Sequence, residues 1–283
     1  MIDMRINKNI GALNTQRQVG INNNAVANKL EKLSSGKRVN RSSDDAAGLA
    51  ISEKMRTQII GALTASRNTQ DGVSLIQVAE GALQGLQGML QRARELAVQS
   101  ASGTNQDRVD REALQGEFEN IVNELDDTAK TTTFNDMNVL DGTNNPIPIQ
   151  AGPNSGDTVN IEIGAMTAQN LLGLDDQQYN ASTDVNVATS ASASSAIGTV
   201  DNAINDISLQ RAQLGATQNR LEFRMQALDI QAENVTAAES RIRDTDMAKM
   251  MTELTAKNIL QKASTAMLAQ ANARPQGILG MLS

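Results

Sequence analysis

Apolar residues recur along this chain at helical spacing over long stretches with few interruptions. Leu75, Ala79, Ala82, Leu86, Met89, Ala93 and Leu96 follow an unbroken 4,3,4,3 step, the seam of a helix packed as in a coiled coil. Ser102-Gly103-Thr104-Asn105 then reads as a turn, and Leu114, Phe118, Ile121 and Leu125 resume the pattern. A second helix is therefore expected to fold back on the first. The longest seam comprises Ala193, Ile197, Val200, Ile204, Ile207, Leu214, Leu221, Met225, Leu228, Ala232, Val235 and Ile242, and only Arg211, Gln218 and Glu239 break its register. At ~1.5 Å per residue such a helix runs roughly 70 Å, too long for a compact globule and suited to a rod.

Both ends of the chain read as amphipathic helices. Ile6, Ile10, Leu13, Val19, Val26, Leu30 and Leu33 form one stripe; Met247, Met251, Leu254, Leu260, Ala263, Met267 and Ala271 form the other. Helices of this kind draw their stability from packing, so the ends should pair with each other, pack on other subunits, or remain disordered. Neither stripe carries the bulky aromatic anchors of a membrane-surface helix.

Proline separates the helical stretches, with Pro146, Pro148 and Pro153 clustered mid-chain and Pro275 near the end. Around that cluster the period changes to two. Ile147 and Ile149, then Val159, Ile161 and Ile163, alternate about a turn-rich 151–156 segment, as in a hairpin. The stretch from Asp175 to Ser195 has too little apolar content to build a core. The fold class expected is mainly α: a long-helix rod or coiled-coil bundle with a small β-hairpin region near 146–165.

Composition removes most chemistry from consideration. The chain has no Cys, His or Trp, which excludes a thiol nucleophile, a Ser-His-Asp triad, a disulfide or an ordinary zinc site. No catalytic residue, cofactor or metal site is expected. The start lacks the apolar run of a secretory signal, and no 18-residue apolar stretch occurs, so membrane insertion is not expected. Charge is uneven: residues 1–43 carry eight Lys/Arg against Asp3 and Glu31, while the whole chain is at −7. A basic arm without aromatic stacking residues or a recognised binding module gives no reason to expect a nucleic-acid partner.

Two local features bear on architecture. Ser42-Ser43-Asp44-Asp45 reads as a helix start, with a Ser to cap free amides and carboxylates favoured by the helix dipole. The glycines Gly61, Gly72, Gly81, Gly85 and Gly88 each cost ~1 kcal/mol against Ala inside a helix. Close helix packing would offset that cost; exposed positions would merely tolerate it.

The opening Ile6-Asn7-Lys8-Asn9-Ile10-Gly11-Ala12-Leu13, the run Leu30 to Asn40, the segment Asp44 to Ile51 and the close Ala271 to Leu282 together resemble bacterial flagellin. The resemblance spans nearly the whole chain, with Gly280 and Met281 departing from the family's commoner ending. It implies residues 1–43 and 241–283 as the arms of an inner coiled coil, and 44–240 as a helical rod with a short polar loop, 175–195, in place of outer domains. It also implies a subunit that polymerises with itself into the extracellular flagellar filament, exported through the flagellar type III apparatus. An export chaperone and the hook-associated junction and cap proteins would be further partners. The segment 91–99 resembles the patch read by the flagellin-sensing Toll-like receptor of a host, which carries recognition over to Arg92, Leu96 and, on the returning helix, Glu117. The nearest rival is a hook-filament junction protein, which shares flagellin-like ends and a helical rod. A flagellin with a metallopeptidase insert would need histidines the chain lacks.

Overall fold

The computed structural model describes residues 8–103, 108–173 and 185–282. Ile6 of the first stripe, Thr104 and Asn105 of the expected turn, and much of the polar 175–195 stretch lie outside them. The elements run α1 (Ile10–Ser35), α2 (Ala46–Ala101), α3 (Arg108–Thr131), β1 (Thr133–Phe134), β2 (Met137–Asn138), β3 (Ile147–Gln150), β4 (Thr158–Ile161), α4 (Ala168–Leu172), α5 (Ser190–Arg243) and α6 (Met247–Leu282). Long helices with two small antiparallel strand pairs are the mainly α architecture that the seams and the hairpin pattern indicate. The chain forms two compact units, residues 59–232 and residues 1–58 with 233–283; their boundary falls inside α2 and α5.

Unit 59–232 has a complete apolar core. Leu75, Ala79, Leu86, Ala93 and Leu96 of α2 are buried with Phe118 and Leu125 of α3 and Val200, Ile207, Leu214 and Leu221 of α5, as the seams require. Helix α2 also buries Ile76, Leu83, Leu90 and Ala97. A helix with neighbours on two sides needs this wider apolar face, and ion pairs to both α3 and α5 show that α2 borders each. Helix α5 starts with a reciprocal cap: the Ser192 amide donates to Thr189 Oγ1 and the Thr189 amide donates to Ser192 Oγ, each at 3.1 Å.

The expected hairpin is β3–β4, with Ile147 opposite Ile161 and Ile149 opposite Val159. The second pair, β1–β2, turns through Asn135 and Asp136, both at positive φ, the conformation a tight two-residue hairpin turn demands. Polar bonds dock the β3–β4 region: Arg224 Nε donates to the Ala151 carbonyl at 2.8 Å, and Gln210 Nε2 donates to the Glu162 carbonyl at 2.8 Å. Gln210 thus occupies an inward position of α5 because a backbone carbonyl needs a donor there.

The glycines divide by location. A Cβ on Gly61 would lie 2.9 Å from Pro153 Cβ, and one on Gly72 would lie 3.2 Å from Ile149 Cγ1, so these two admit the hairpin. Gly81, Gly85 and Gly88 face open space. Their helix cost is offset by no contact among the described residues.

In the other unit, α1 opens on Asn9, whose side chain accepts from the Ala12 amide at 3.0 Å, and ends at Gly36 in the left-handed region. The start of α2 differs from expectation. The cap is Asp45, which accepts from the Gly48 amide at 2.9 Å, while neither Ser42 nor Ser43 takes that role. Asp44 instead accepts from the Asn40 and Arg41 amides at 3.2 Å each and pairs with Lys32. A carboxylate one residue nearer the helix reaches the third amide, and its neighbour closes the preceding turn. Helix α6 does not end at Pro275 but runs on to Leu282.

Candidate assembly and recognition surfaces

Helices α1 and α6 pack against each other closely enough for their Cα atoms to come within 8 Å. Small residues permit that approach, and much of the bonding is polar. Asn22 Nδ2 donates to Ser264 Oγ at 2.7 Å, Gln261 Nε2 to Asn23 Oδ1 at 2.8 Å, and Asn9 Nδ2 to the Ala271 carbonyl at 2.8 Å. Lys29 pairs with Glu253, and the Lys29 hydrogen bond holds the Glu253 carboxyl below its ordinary range. The connections between helices are also joined: the Arg38 amide donates to the Arg243 carbonyl at 2.7 Å, and the Thr245 amide to the Gly36 carbonyl at 3.0 Å. Beneath them the Arg243 guanidinium donates to Glu53 Oε1 at 2.6 Å.

This arrangement sorts the stripe residues differently from the sequence pattern. Leu254 is buried, and Val19, Val26 and Leu33 are half-buried on the face of α1 that meets α6. Ile10, Leu13, Leu30, Met247, Met251, Leu260 and Met267 are exposed, as are Ile21 and Ile259, which lie outside both stripes. Helical spacing puts Ile10, Leu13 and Ile21 on the face turned from α6. It sets Met247 with Met251 on one flank of the α6 contact face and Leu260 with Met267 on the other. The pairing of the ends therefore uses small and polar side chains and leaves most of the large apolar ones free, because close approach favours Asn, Ser and Ala over Leu and Met.

In unit 59–232 the expected recognition residues separate. Arg92 of α2 is held between two carboxylates: its Nε and Nη2 donate to Glu117 Oε1 at 3.0 and 2.6 Å, and its Nη1 donates to Glu95 Oε2 at 3.0 Å. The Glu117 hydrogen bond, then that of Glu95, raises the Arg92 pKa, so the guanidinium stays charged. Both Arg92 and Glu117 are about half-exposed. Leu96, in contrast, is only 1% exposed and belongs to the core. As a surface contact it is corrected: its 4,3 spacing from Ala93 and Met89 turns it inward, where it supports the helix that presents Arg92. Arg94 was not singled out in the sequence, yet it donates through Nε to Asp201 Oδ1 of α5 at 2.6 Å. No spacing rule could have paired it with a residue so distant in the chain.

A further exposed apolar row runs along α5 in this unit: Leu209, Phe223 and Ile230, at seven- or fourteen-residue steps, with Phe223 71% exposed. Among the described residues no cluster of metal-ligating side chains occurs, and no helix is long and apolar enough to cross a membrane.

Long helices carrying exposed apolar rows, with chain ends joined in one paired unit, define a structural protein built to contact others. The sequence matches the family profile of the bacterial flagellin N-terminal helical region over residues 6–145 and that of the C-terminal helical region over 197–282. It is 49% identical over 279 residues to a flagellin of Halalkalibacterium halodurans, a match covering 99% of this chain and 100% of that one. A Bacillus subtilis flagellin is 46% identical over 304 residues, covering 99% of this chain and 100% of that one. A Bacillus cereus flagellin crystal structure is 34% identical, with a TM-score of 0.49, covering 61% of this chain and 94% of that one. The chain belongs to the flagellin family. It is a structural subunit of the bacterial flagellar filament, the extracellular polymer that serves motility, and it is not an enzyme.

Proposed function

We propose that subunits join through the exposed apolar side chains of the α1–α6 pair, with residues 1–43 and 241–283 as the arms of an inner coiled coil and 44–240 as the surrounding rod. One observation carries this reading: Ile10, Leu13, Leu30, Met247, Met251, Leu260 and Met267 remain exposed although the two arms already pack on each other. Apolar side chains left in water on a paired helix gain ~25 cal/mol per Å² when a neighbouring copy covers them, and a filament repeats that gain at every subunit. The outward row of α5 around Phe223 would add a second contact on the rod. Truncation before Met247 tests the division of labour. The shortened chain should retain a cooperative helical melt by circular dichroism and form no filaments on seeding; normal filaments would refute the assignment.

Export through the flagellar type III apparatus with a dedicated chaperone, and contact with hook-associated junction and cap proteins, belong to the same proposal through kinship. So does recognition of the free subunit by the host Toll-like receptor for flagellin, centred on Arg92 and Glu117. A half-exposed charged pair contributes little to folding and can contribute more to a specific interface. Arg92→Ala with Glu117→Ala should weaken receptor signalling at least ~10-fold, about what a contact of 1.4 kcal/mol confers, while leaving filament yield intact. Unchanged signalling would remove both residues from the recognition site.

A further inference from the structure

We propose that Met247, Met251 and Met267 constitute an oxidation-sensitive modification site, and that their conversion to sulfoxide by a peroxide stops the free subunit from joining the filament. The inference rests on the reading above that the α6 flanks are covered by neighbouring copies. Twelve methionines occur in the chain. Among the described side chains Met55, Met89, Met137 and Met225 are half-buried, and Met166 and Met250 are buried. The exposed ones, Met247 at 47%, Met251 at 49% and Met267 at 60%, all lie on α6. Met250 sits between two of them and is only 7% exposed, which makes it an internal control on the same turn.

The composition directs the chemistry to these positions. With no Cys anywhere in the chain, no thiolate competes for a two-electron oxidant, and the accessible thioethers become its targets. The sulfur lone pair attacks one oxygen of hydrogen peroxide, the S–O bond forms as the O–O bond breaks, and the departing hydroxide takes the proton of the sulfur-bound hydroxyl and leaves as water. Sulfur loses two electrons and the peroxide gains them. A flexible apolar side chain thereby becomes a polar one carrying a strong acceptor. A neighbouring subunit covering that flank must then desolvate the sulfoxide oxygen without supplying a donor, which disfavours association. Within a filament the same flanks are covered, so the oxidant acts on free subunits and spares assembled ones. Reduction of the sulfoxide by a methionine sulfoxide reductase restores the original surface.

The experiment uses the purified full-length chain treated with hydrogen peroxide, peptide mass mapping of each sulfoxide, and seeded assembly. Met247, Met251 and Met267 should oxidise well ahead of Met250, and the critical concentration for assembly should rise at least ~10-fold, the equivalent of ~1.4 kcal/mol per subunit. Reductase treatment should reverse the rise. In the Met247→Leu, Met251→Leu, Met267→Leu triple variant, peroxide should leave the critical concentration at whatever value the untreated variant shows, with an unchanged circular dichroism spectrum. Oxidation of all three sites without a change in assembly would overturn the inference, as would equal oxidation of these sites in intact filaments. An unoxidised Met251→Gln, Leu260→Gln variant separates the two readings. If it assembles normally, the assembly face itself is misassigned; if it fails while the sulfoxide form assembles, only the oxidation site falls.

Discussion

The two compact units use apolar residues in opposite ways. Unit 59–232 turns most of its leucines and isoleucines inward, the exposed row of α5 aside, so that Ile76, Leu83, Leu86, Phe118, Leu125, Ile207 and Leu214 are fully buried within one chain. The other unit joins α1 to α6 through Asn22, Ser264, Lys29 and Glu253 and keeps Ile10, Leu13, Met251 and Met267 outside. A helix pair is thus not by itself a core: what counts is which side chains the contact removes from water. The first unit has its hydrophobic stabilisation in the free chain, whereas the second, on the proposed assembly, would gain more when copies associate.

A matched pair of substitutions would break or sharpen this contrast most. Leu86→Ala removes a fully buried side chain and should cost the unit ~2–5 kcal/mol, read as a large drop in the melting midpoint of the free subunit. Leu13→Ala removes one that is 66% exposed and should change stability by no more than ~0.5 kcal/mol, leaving that midpoint nearly unchanged, while reducing filament yield. Equal destabilisation by the two would mean that the arm has an internal core after all.

Glycine supplies a smaller test confined to α2. A Cβ at position 61 would meet the rigid ring of Pro153 at 2.9 Å and its Cα at 3.3 Å, so Gly61→Ala should destabilise the free subunit by ~1–3 kcal/mol. Gly85 has nothing within 4 Å, so Gly85→Ala should stabilise it by ~1 kcal/mol through helix propensity alone. Denaturant titration distinguishes the signs. If Gly85→Ala also lowers filament yield, its open space in the free chain is occupied by a neighbour after assembly.

How much of this was legible in the sequence depended on how local the determining physics is. The seams of α2, α3 and α5 could be read because a helix fixes the direction of each side chain every few residues, and the β3–β4 hairpin because alternation about a turn is equally local. The inward orientation of Leu96 followed from the same seam, while the resemblance placed it in a surface patch. The packing face of the arms was obscured for a different reason. Hydrophobicity marks where burial is most favourable, and here much of the contact is made by Asn22, Asn23, Gln261 and Ser264, while most of the larger apolar residues stay exposed. The β1–β2 pair and α4 are too short to show a period, although Asn135-Asp136 carries a turn signature in its residue types. Pairs such as Arg94 with Asp201 depend on tertiary placement and left no sequence signal.

The smallest expected effect concerns the turn that leads from α1 into α2, where Asp44 accepts from Lys32 and from the amides of Arg41 and Asn40. The Lys32 hydrogen bond chiefly, with the Arg41 amide next, holds its carboxyl below the ordinary value of 3.8 against the opposing effect of partial burial. A carboxyl depressed in the folded state binds protons more readily when unfolded. Its stabilisation is therefore complete above the unfolded value and disappears as pH falls through the lower, folded one. Asp44→Asn should consequently reduce stability by no more than ~1 kcal/mol at neutral pH, the range of partly exposed pairs, and the difference from the parent chain should vanish in strong acid. Amide exchange at Asn40 and Arg41 reports the site directly, because both amides lose a charged acceptor in the variant. Their protection should fall on substitution at neutral pH, with the core amides of Leu83 and Leu86 unaffected. A deficit that persisted unchanged well below pH 3.8 would show that the turn depends on the shape of the Asp44 side chain and not on its charge.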